Sequence, residues 1–141
     1  MKIHQLSIFL ENRAGRLAEV TKILGDAGID LLAISVADTT DFGILRILVN
    51  DEKKAVDALK IQGILCRLDD ISVVEVEGVP GGLAKVLEAI NASNVNIAYM
   101  YAVSQKKLQN PLMVFRFSDD VKACVALEKA GVRLINAEEL F

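Results

Sequence analysis

The sequence has no tryptophan, one histidine and two cysteines among its 141 residues. Cys66 and Cys124 lie far apart, without CxxC spacing and with no histidine beside them, so the sequence indicates no metal site. Two such lone cysteines are typical of apolar, reduced thiols, which favours a cytoplasmic protein. The single histidine, His4, lies on an apolar strand pattern, where packing is a commoner role than catalysis.

Long hydrophobic runs are also lacking. The longest, Ile29–Ala37, is interrupted by Asp30 and Ser35, far short of the roughly 18 residues that a spanning helix needs. The N-terminus has no signal-peptide layout, so no membrane association is expected. Hydrophobic residues nevertheless make up 52% of the chain, and the mean hydropathy is +0.38. Tyr99 and Tyr101 alternate along one predicted strand and form an aromatic stripe. This stripe and the high hydrophobic content predict a homodimer in which a second copy covers a further apolar face.

Charge of one sign does not dominate. Sixteen basic and nineteen acidic residues give a net charge of −3, and the basic residues are dispersed along the chain. A nucleic-acid-binding protein needs a basic patch, and an RNA-binding sheet needs an aromatic motif as well. Neither is present, so we expect no nucleic-acid partner.

What the chain does contain is an internal repeat. Gly15–Val20 matches Gly81–Val86, and Ile29–Leu31 matches Val95–Ile97, both at an offset of 66 residues. Gly63 has its counterpart 68 residues further on, which a loop with two extra residues explains. Duplication of one unit accounts for this register.

Each half is predicted to be a ferredoxin-like βαββαβ repeat. Leu6, Ile8 and Leu10 alternate with polar or outward-facing positions as in a strand, and a helical apolar pattern follows Gly15. The predicted fold class is α+β: two such repeats, residues 1–69 and 70–141, pair side by side into a continuous antiparallel sheet with helices on one face. The fourth strand of the first half is predicted at Ile64–Leu68, and the first strand of the second half is predicted at Ile71–Glu77. Asp69-Asp70 is expected to form the junction between these two strands. Asn50 or Asp51 is expected to cap the helix that follows the third strand, and Asp119-Asp120 is expected to act as a cap or turn in the second half.

The turn between the first strand and first helix of each half is the candidate site. These turns read Glu11-Asn12-Arg13-Ala14-Gly15-Arg16-Leu17 and Glu77-Gly78-Val79-Pro80-Gly81-Gly82-Leu83. A glycine there allows close approach of a ligand, and the helix N-terminus suits a carboxylate. Asn12 adds a side-chain acceptor for an ammonium and a donor for a carboxylate. Glycines that only make a tight turn are the competing interpretation.

Enzyme signatures are absent: no GxSxG, Walker, HExxH or GxGxxG motif occurs. We therefore expect a non-catalytic protein with no cofactor. The alternatives are a small-molecule hydrolase of the acylphosphatase type, for which Arg13 or Arg16 would grip the anion, and a purely structural assembly module.

The two turns together with their surroundings resemble the ACT domain, the amino-acid-sensing module of many metabolic enzymes. The resemblance rests on Leu10–Leu17 with Ala27–Leu31, and on Val79–Leu83 with Asn94–Ile97, and it covers essentially the whole chain. It implies a stand-alone tandem ACT protein that binds a free amino acid and regulates a metabolic enzyme or another regulator.

The resemblance also implies where the amino acid binds, namely at the interface between two paired domains. Carried onto this sequence, Asn12, Ala14 and Gly15 would face Asn96 and Ile97, and Pro80 and Gly81 would face Asp30 and Leu31. The complete set of candidate ligand-binding residues is Asn12, Arg13, Ala14, Gly15, Arg16, Leu17, Asp30, Leu31, Val79, Pro80, Gly81, Gly82, Leu83, Asn96 and Ile97.

The two implied sites differ chemically. Gly78 lacks the side chain that Asn12 provides, and Asp30 stands where the other half has Asn96. Leu10 also occupies a position where some serine-sensing relatives carry a histidine, so the same ligand does not follow. Because Asp30 would repel a nearby ligand carboxylate, we expect the Asn12/Asn96 site to bind more tightly.

Overall fold

The computed structural model describes residues 2–11, 13–38, 42–104 and 109–141. They form two compact units: the first is His4–Asp69, and the second is Asp70–Phe141 together with the residues up to Ile3. The elements are β1 (Ile3–Glu11), α1 (Arg16–Asp26), β2 (Leu31–Asp38), β3 (Phe42–Val49), α2 (Glu52–Ile61), β4 (Cys66–Glu75), α3 (Gly82–Ala92), β5 (Ile97–Ala102), β6 (Leu112–Phe117), α4 (Asp120–Lys129), β7 (Leu134–Ile135) and α5 (Ala137–Leu140).

In the first unit β3 is central and pairs antiparallel with both β1 and β2. Leu6 lies opposite Ile47, and Leu31 lies opposite Val49. The first residues of β4 complete the sheet beside β1, where Ser7 Oγ donates to Asp69 Oδ2 at 2.7 Å. The alternation predicted for β1 places one apolar row of the sheet under the helices. The polar residues that alternate with this row, Gln5 and Ser7, are buried as well, and Gln5 Nε2 donates to Ser7 Oγ at 2.8 Å.

Helices α1 and α2 cover that row and close the core of the first unit. Its buried members come from β1, β3 and both helices, with one residue from the turn after each helix: Leu6, Ile8, Leu10, Val20, Leu24, Ile29, Leu45, Ile47, Val49, Ala55, Leu59 and Ile64. A unit of this size buries only a modest apolar area, so each of these side chains contributes a large share of the unit's free energy of unfolding.

The second unit repeats the arrangement. β6 pairs antiparallel with β4 and β5, and β7 pairs with the other edge of β4. Its core lies under α3 and α4 and includes Val74, Val86, Val95, Phe115, Phe117 and Leu127. The rings of Phe115 and Phe117 stack at 5.2 Å between centroids. The prediction of two ferredoxin-like repeats, each with its helices on one face, is confirmed.

Two elements differ from the prediction. The strands expected at Ile64–Leu68 and Ile71–Glu77 are one strand, β4, because Asp69 is held inside it by hydrogen bonds from Ser7 and Arg67 rather than in a turn. The short α5 was not predicted. Asn136 and Glu139 form its capping box, a local device that needs no helical periodicity.

The second helix of each repeat begins with the same cap. Asp51 Oδ1 accepts from the Lys54 amide at 3.1 Å, and Asp119 Oδ1 accepts from the Lys122 amide at 3.0 Å. Asp51 is therefore the predicted cap, whereas the Asn50 side chain binds elsewhere. Among the described residues, no helix is long and apolar enough to cross a membrane.

Removal of either cap should weaken the protein by a similar amount. We expect Asp119→Ala and Asp51→Ala each to lower the free energy of unfolding by about 1 kcal/mol, since each leaves one helix-terminal amide without its acceptor. Urea unfolding followed by circular dichroism measures this. An unchanged midpoint for both variants would show that neither hydrogen bond stabilises its helix.

Candidate functional site

The first glycine turn leads directly into α1. Gly15 adopts a left-handed conformation (φ 83°), and no described side chain caps the helix that begins after it. Asn12, the predicted polar contact, lies outside the described residues. The exposed turn of Arg13, Ala14 and Gly15 therefore presents backbone and the positive end of the α1 dipole.

The two arginines of this turn contact a carboxylate of their own helix. Arg13 Nη2 lies 3.4 Å and Arg16 Nη1 3.1 Å from Glu19 Oε2. Arg16 Nε is buried and has no hydrogen-bond partner among the described residues. An acylphosphatase-type loop needs an arginine directed at a bound anion, and this pairing with Glu19 does not favour that arrangement.

The second glycine turn has the same backbone but is packed more tightly. Gly81 is again left-handed (φ 86°), and no described side chain caps α3. A Cβ on Gly82 would lie 2.0 Å from the carbonyl oxygen of Glu77, so only glycine fits there. The equivalent residue in the first unit is Arg16. Gly82 is predicted from the sequence as a ligand contact, and its packing role could not be predicted because a single sequence carries no signal for it.

Each turn has an apolar side chain exposed beside it. Leu17 and Leu83 occupy equivalent positions at the first turn of α1 and α3, with 40% and 37% exposure. Val79 of the second turn is also exposed. Large apolar side chains next to an uncapped helix N-terminus suit a ligand that carries both a carboxylate and an apolar part.

The other predicted half-site is the beginning of the second strand in each repeat. The amide of Asp30 donates to Asn50 Oδ1 at 3.0 Å, and the amide of Asn96 donates to Ser118 Oγ at 3.0 Å. Both strand starts are thus held by one side chain after the third strand. The Asp30 and Asn96 residues are exposed, whereas Leu31 and Ile97 are partly buried.

Within one unit these half-sites lie at opposite ends of the sheet. β1 and β2 both pair antiparallel with β3, so they run parallel to each other. Glu11, before the glycine turn, lies opposite Phe42, whereas Leu31 lies opposite Val49 at the other end of β3. An eight-residue strand separates the ends by about 23 Å. The second unit has the same geometry.

The second unit also holds a small polar cavity that the sequence did not indicate. It has a volume of about 190 Å³ beside the start of α3 and is lined by Glu75, Lys85, Asn110 and Arg133 among others. Glu75 accepts from Asn110 Nδ2 at 3.1 Å and from Arg133 Nη1 at 3.2 Å. Lys85 Nζ lies 3.6 Å from Glu77 Oε1, so the charged residues that line this cavity form ion pairs with one another. Arg133 also contacts Glu139 of α5.

Groups with catalytic potential are few in the described part of the chain. His4 Nδ1 lies 3.0 Å from Glu52 Oε2. Burial raises the pKa of both the Cys66 and the Cys124 thiols, which disfavours the nucleophilic thiolate. No group of three or more potential metal ligands occurs among the residues that the structure describes.

Comparison with known protein families identifies the chain. The model of the ACT domain pair matches residues 1–140. The chain belongs to this ACT family. The family match and the geometry agree on two repeats. No curated protein sequence matches the chain.

Solved structures resemble this ACT pair over nearly its whole length. Protein BT0572 from Bacteroides thetaiotaomicron is 41% identical, with a TM-score of 0.90, over 99% of this chain and 96% of that one. The regulatory subunit of aspartate kinase from Thermus thermophilus, in a ligand-free form, is 20% identical with a TM-score of 0.67, over 92% and 93%. The corresponding subunit from Thermus flavus is 21% identical with a TM-score of 0.63, over 93% and 94%. The latter two likenesses show the fold.

Gly82→Ala should destabilise the second unit. Its Cβ would meet the Glu77 backbone, which cannot move aside as a flexible side chain can, so we expect a loss of about 1–3 kcal/mol in the free energy of unfolding. Gly25→Ala is the matched control, because no atom lies within 4 Å of its Cβ and alanine favours the helix by about 1 kcal/mol. Thermal unfolding should separate the two variants in opposite directions. Equal stability would contradict the packing role of Gly82.

Proposed function

We propose that this ACT pair is a non-catalytic amino-acid sensor. In this proposal the ligand binds between the glycine turn of one ACT domain and the start of the second strand of a domain paired with it. The observation that supports this most directly is the separation of the two half-sites by the length of a strand within each unit. Neither unit can close such a site from its own residues.

Antiparallel pairing of two edge strands would bring the half-sites together. β2 and β5 are the terminal strands of their sheets, and both are rich in apolar residues. When two edge strands pair antiparallel, the start of one lies beside the end of the other. Each edge strand ends at the same end of the sheet as the glycine turn of its own unit. Pairing of β2 in one copy with β5 in a second copy would therefore place Gly15 near Asn96 and Gly81 near Asp30. The proposed sensor is a homodimer on this basis, and its lone, partly buried cysteines favour a cytoplasmic location.

The chemistry of the turn suits an α-amino acid. The uncapped N-terminus of α1 offers backbone amides to a carboxylate. Asn12 and the Asn96 side chain offer amide oxygens to an ammonium group. Leu17 borders the turn and suits an apolar part of the ligand. The same reasoning assigns the other predicted residues, Arg13, Ala14, Arg16, Leu31, Val79, Pro80, Gly82, Leu83 and Ile97, to the walls of the two sites.

The two sites should differ in affinity. Asp30 would put a carboxylate beside the ligand carboxylate, whereas Asn96 is neutral and can orient either end of its amide. Gly78 offers no side chain in place of Asn12. We therefore propose that the site formed by Asn12 and Asn96 is the tighter one.

Regulation would follow from the shared site. A ligand that contacts two domains favours the arrangement in which both half-sites are aligned, and a partner enzyme or regulator that distinguishes the arrangements would respond. A coupling of about 1–3 kcal/mol, or about 5- to 150-fold in partner affinity, is typical. The pairing of Arg13 and Arg16 with Glu19 disfavours the acylphosphatase-type hydrolase. The packing of Gly82 against Glu77 favours a structural role for that glycine, and this role is compatible with a ligand at the same turn.

A thermal-shift screen against the proteinogenic amino acids tests the proposal. An amino acid at 100 times its Kd should stabilise the protein by about 2.7 kcal/mol, which raises the Tm by several degrees. Absence of a shift with every amino acid would contradict the sensor function. Hydrolysis of a small acyl phosphate, assayed in parallel, would instead support the enzyme alternative.

Calorimetry on two variants then tests the ranking of the sites. With the amino acid found in the screen, we expect Asn12→Ala to weaken the tighter binding event by at least about tenfold, because an unpaired ligand group costs more than 1 kcal/mol. Asp30→Ala should leave that event unchanged and alter the weaker one. Loss of the tighter event in the Asp30→Ala variant alone would overturn the ranking.

A further inference from the structure

The internal repeat reveals an unusual surface on α4. In α2 of the first unit, Lys53 Nζ and Asp57 Oδ2 form an exposed ion pair at 2.9 Å. The equivalent positions of α4, 68 residues further on, are Val121 and Val125, which are 77% and 46% exposed. Valine is a poorer helix former than lysine, so propensity does not explain two exposed valines on a helix. The first unit has a solvated ion pair at these positions, whereas the second has two exposed valines. This difference indicates that a partner molecule covers this surface of α4.

The two valines lie on the outer side of α4. Ala123 and Leu127 are fully buried and define the side that faces the core. Successive residues in a helix are rotated by about 100°, which places Val125 directly opposite the midpoint of those two and Val121 beside it. The apolar pair therefore forms the crest of the helix, hereafter the α4 ridge.

A largely apolar groove, whose charged residues are mostly acidic, runs along one flank of the α4 ridge. It has a volume of about 410 Å³, and its charged lining comprises Asp70, Asp120, Glu128 and Lys2. Lys2 Nζ is bound to Asp70 at 2.8 Å, so its charge is offset within the groove. Asp120 Oδ1 is buried and has no hydrogen-bond partner in the described part of the chain. This flank has an excess of negative charge.

A basic groove runs along the other flank, between α3 and α4. Its volume is about 500 Å³, and Lys122 and Lys129 are the charged residues of its described lining. The remaining wall consists of small residues and Val125: Ala89, Ala92, Ser93, Ala126 and Ala130. Small side chains allow another helix to approach closely.

We propose that the α4 ridge is a contact surface between two copies of this chain, with the two α4 helices packed in parallel about a two-fold axis. Rotation about an axis parallel to the helices brings the acidic flank of one copy against the basic flank of the other, on both sides of the contact. An antiparallel two-fold arrangement would bring acidic flank against acidic flank. The surface is therefore self-complementary in the parallel arrangement.

The level of the charged residues along α4 agrees with this pairing. In a parallel two-fold pair, equivalent residues lie at the same height, so Glu128 of one copy is within about 1.5 Å of the height of Lys129 in the other. Val121 and Val125 meet their own counterparts on the axis, where water is excluded. The contact is small, so a weak association is expected.

Sedimentation equilibrium of the full chain tests the proposal. The double variant Val121→Lys with Val125→Asp recreates the ion pair of α2 on α4, which keeps the helix stable and removes the apolar contact. We expect the wild type to reach twice the mass of this variant at high protein concentration. The matched control, Lys53→Ala with Asp57→Ala on α2, should retain the wild-type mass. Equal masses for the wild type and the α4 variant would overturn the proposal.

Charge reversal distinguishes the parallel pair from other contacts. Glu128→Lys alone and Lys129→Glu alone should each reduce the mass by half. An equimolar mixture of these two chains should recover it, because position 128 of each chain then faces an opposite charge at position 129 of the other. Failure of the mixture to recover the wild-type mass would contradict the parallel arrangement.

The outcome is independent of the proposed amino-acid site. A difference in mass of at least twofold is expected whether the edge strands pair or not, as dimer against monomer or as an assembly of dimers against a dimer. Melting curves of all variants should match the wild type at low protein concentration, which separates loss of the contact from loss of the fold.

Discussion

In each repeat the second strand runs parallel to the first, because both pair antiparallel with the third. This constraint sends the start of the second strand to the end of the sheet far from the glycine turn. A binding site that uses both features must then be completed by a second domain. The proposed sensor function depends on this geometry, and so does the proposed pairing of the edge strands β2 and β5 between two copies.

The repeat and its turns could be predicted from the sequence because they are local. Gly15 and Gly81 have the left-handed backbone that a strand-to-helix turn requires, and Asp51 caps α2 as expected. Strand and helix patterns fixed the order of elements for the same reason, since periodicity depends on which face of an element is buried.

Features that depend on neighbours distant in sequence could not be predicted. The Asp69-Asp70 pair reads as a turn, but a hydrogen bond from Ser7, 62 residues earlier in the chain, holds Asp69 within β4. The need for glycine at position 82 arises from the Glu77 carbonyl oxygen, which only the folded turn brings close. Each unit contains the glycine turn and the strand start only as two separate half-sites, and Asn12 lies outside the described residues.

The duplication is most informative where its copies differ. Arg16 stands opposite Gly82, Asp30 opposite Asn96, and the Lys53–Asp57 ion pair opposite two exposed valines. Because the two repeats have the same backbone fold, each difference in residue type shows the effect of a side chain alone. The second unit has the tighter turn and an apolar ridge, whereas the first has the polar turn. We interpret this as a division of roles, in which the first turn contributes to the tighter ligand site and α4 to assembly.

Amide chemical shifts of the isotopically labelled protein, recorded during titration with the amino acid found by screening, test the shared site most directly. The account predicts that Gly15 and Asn96 shift together along one binding curve, although they belong to different repeats. Shifts confined to one repeat, such as Gly15 with Asp30, would contradict it.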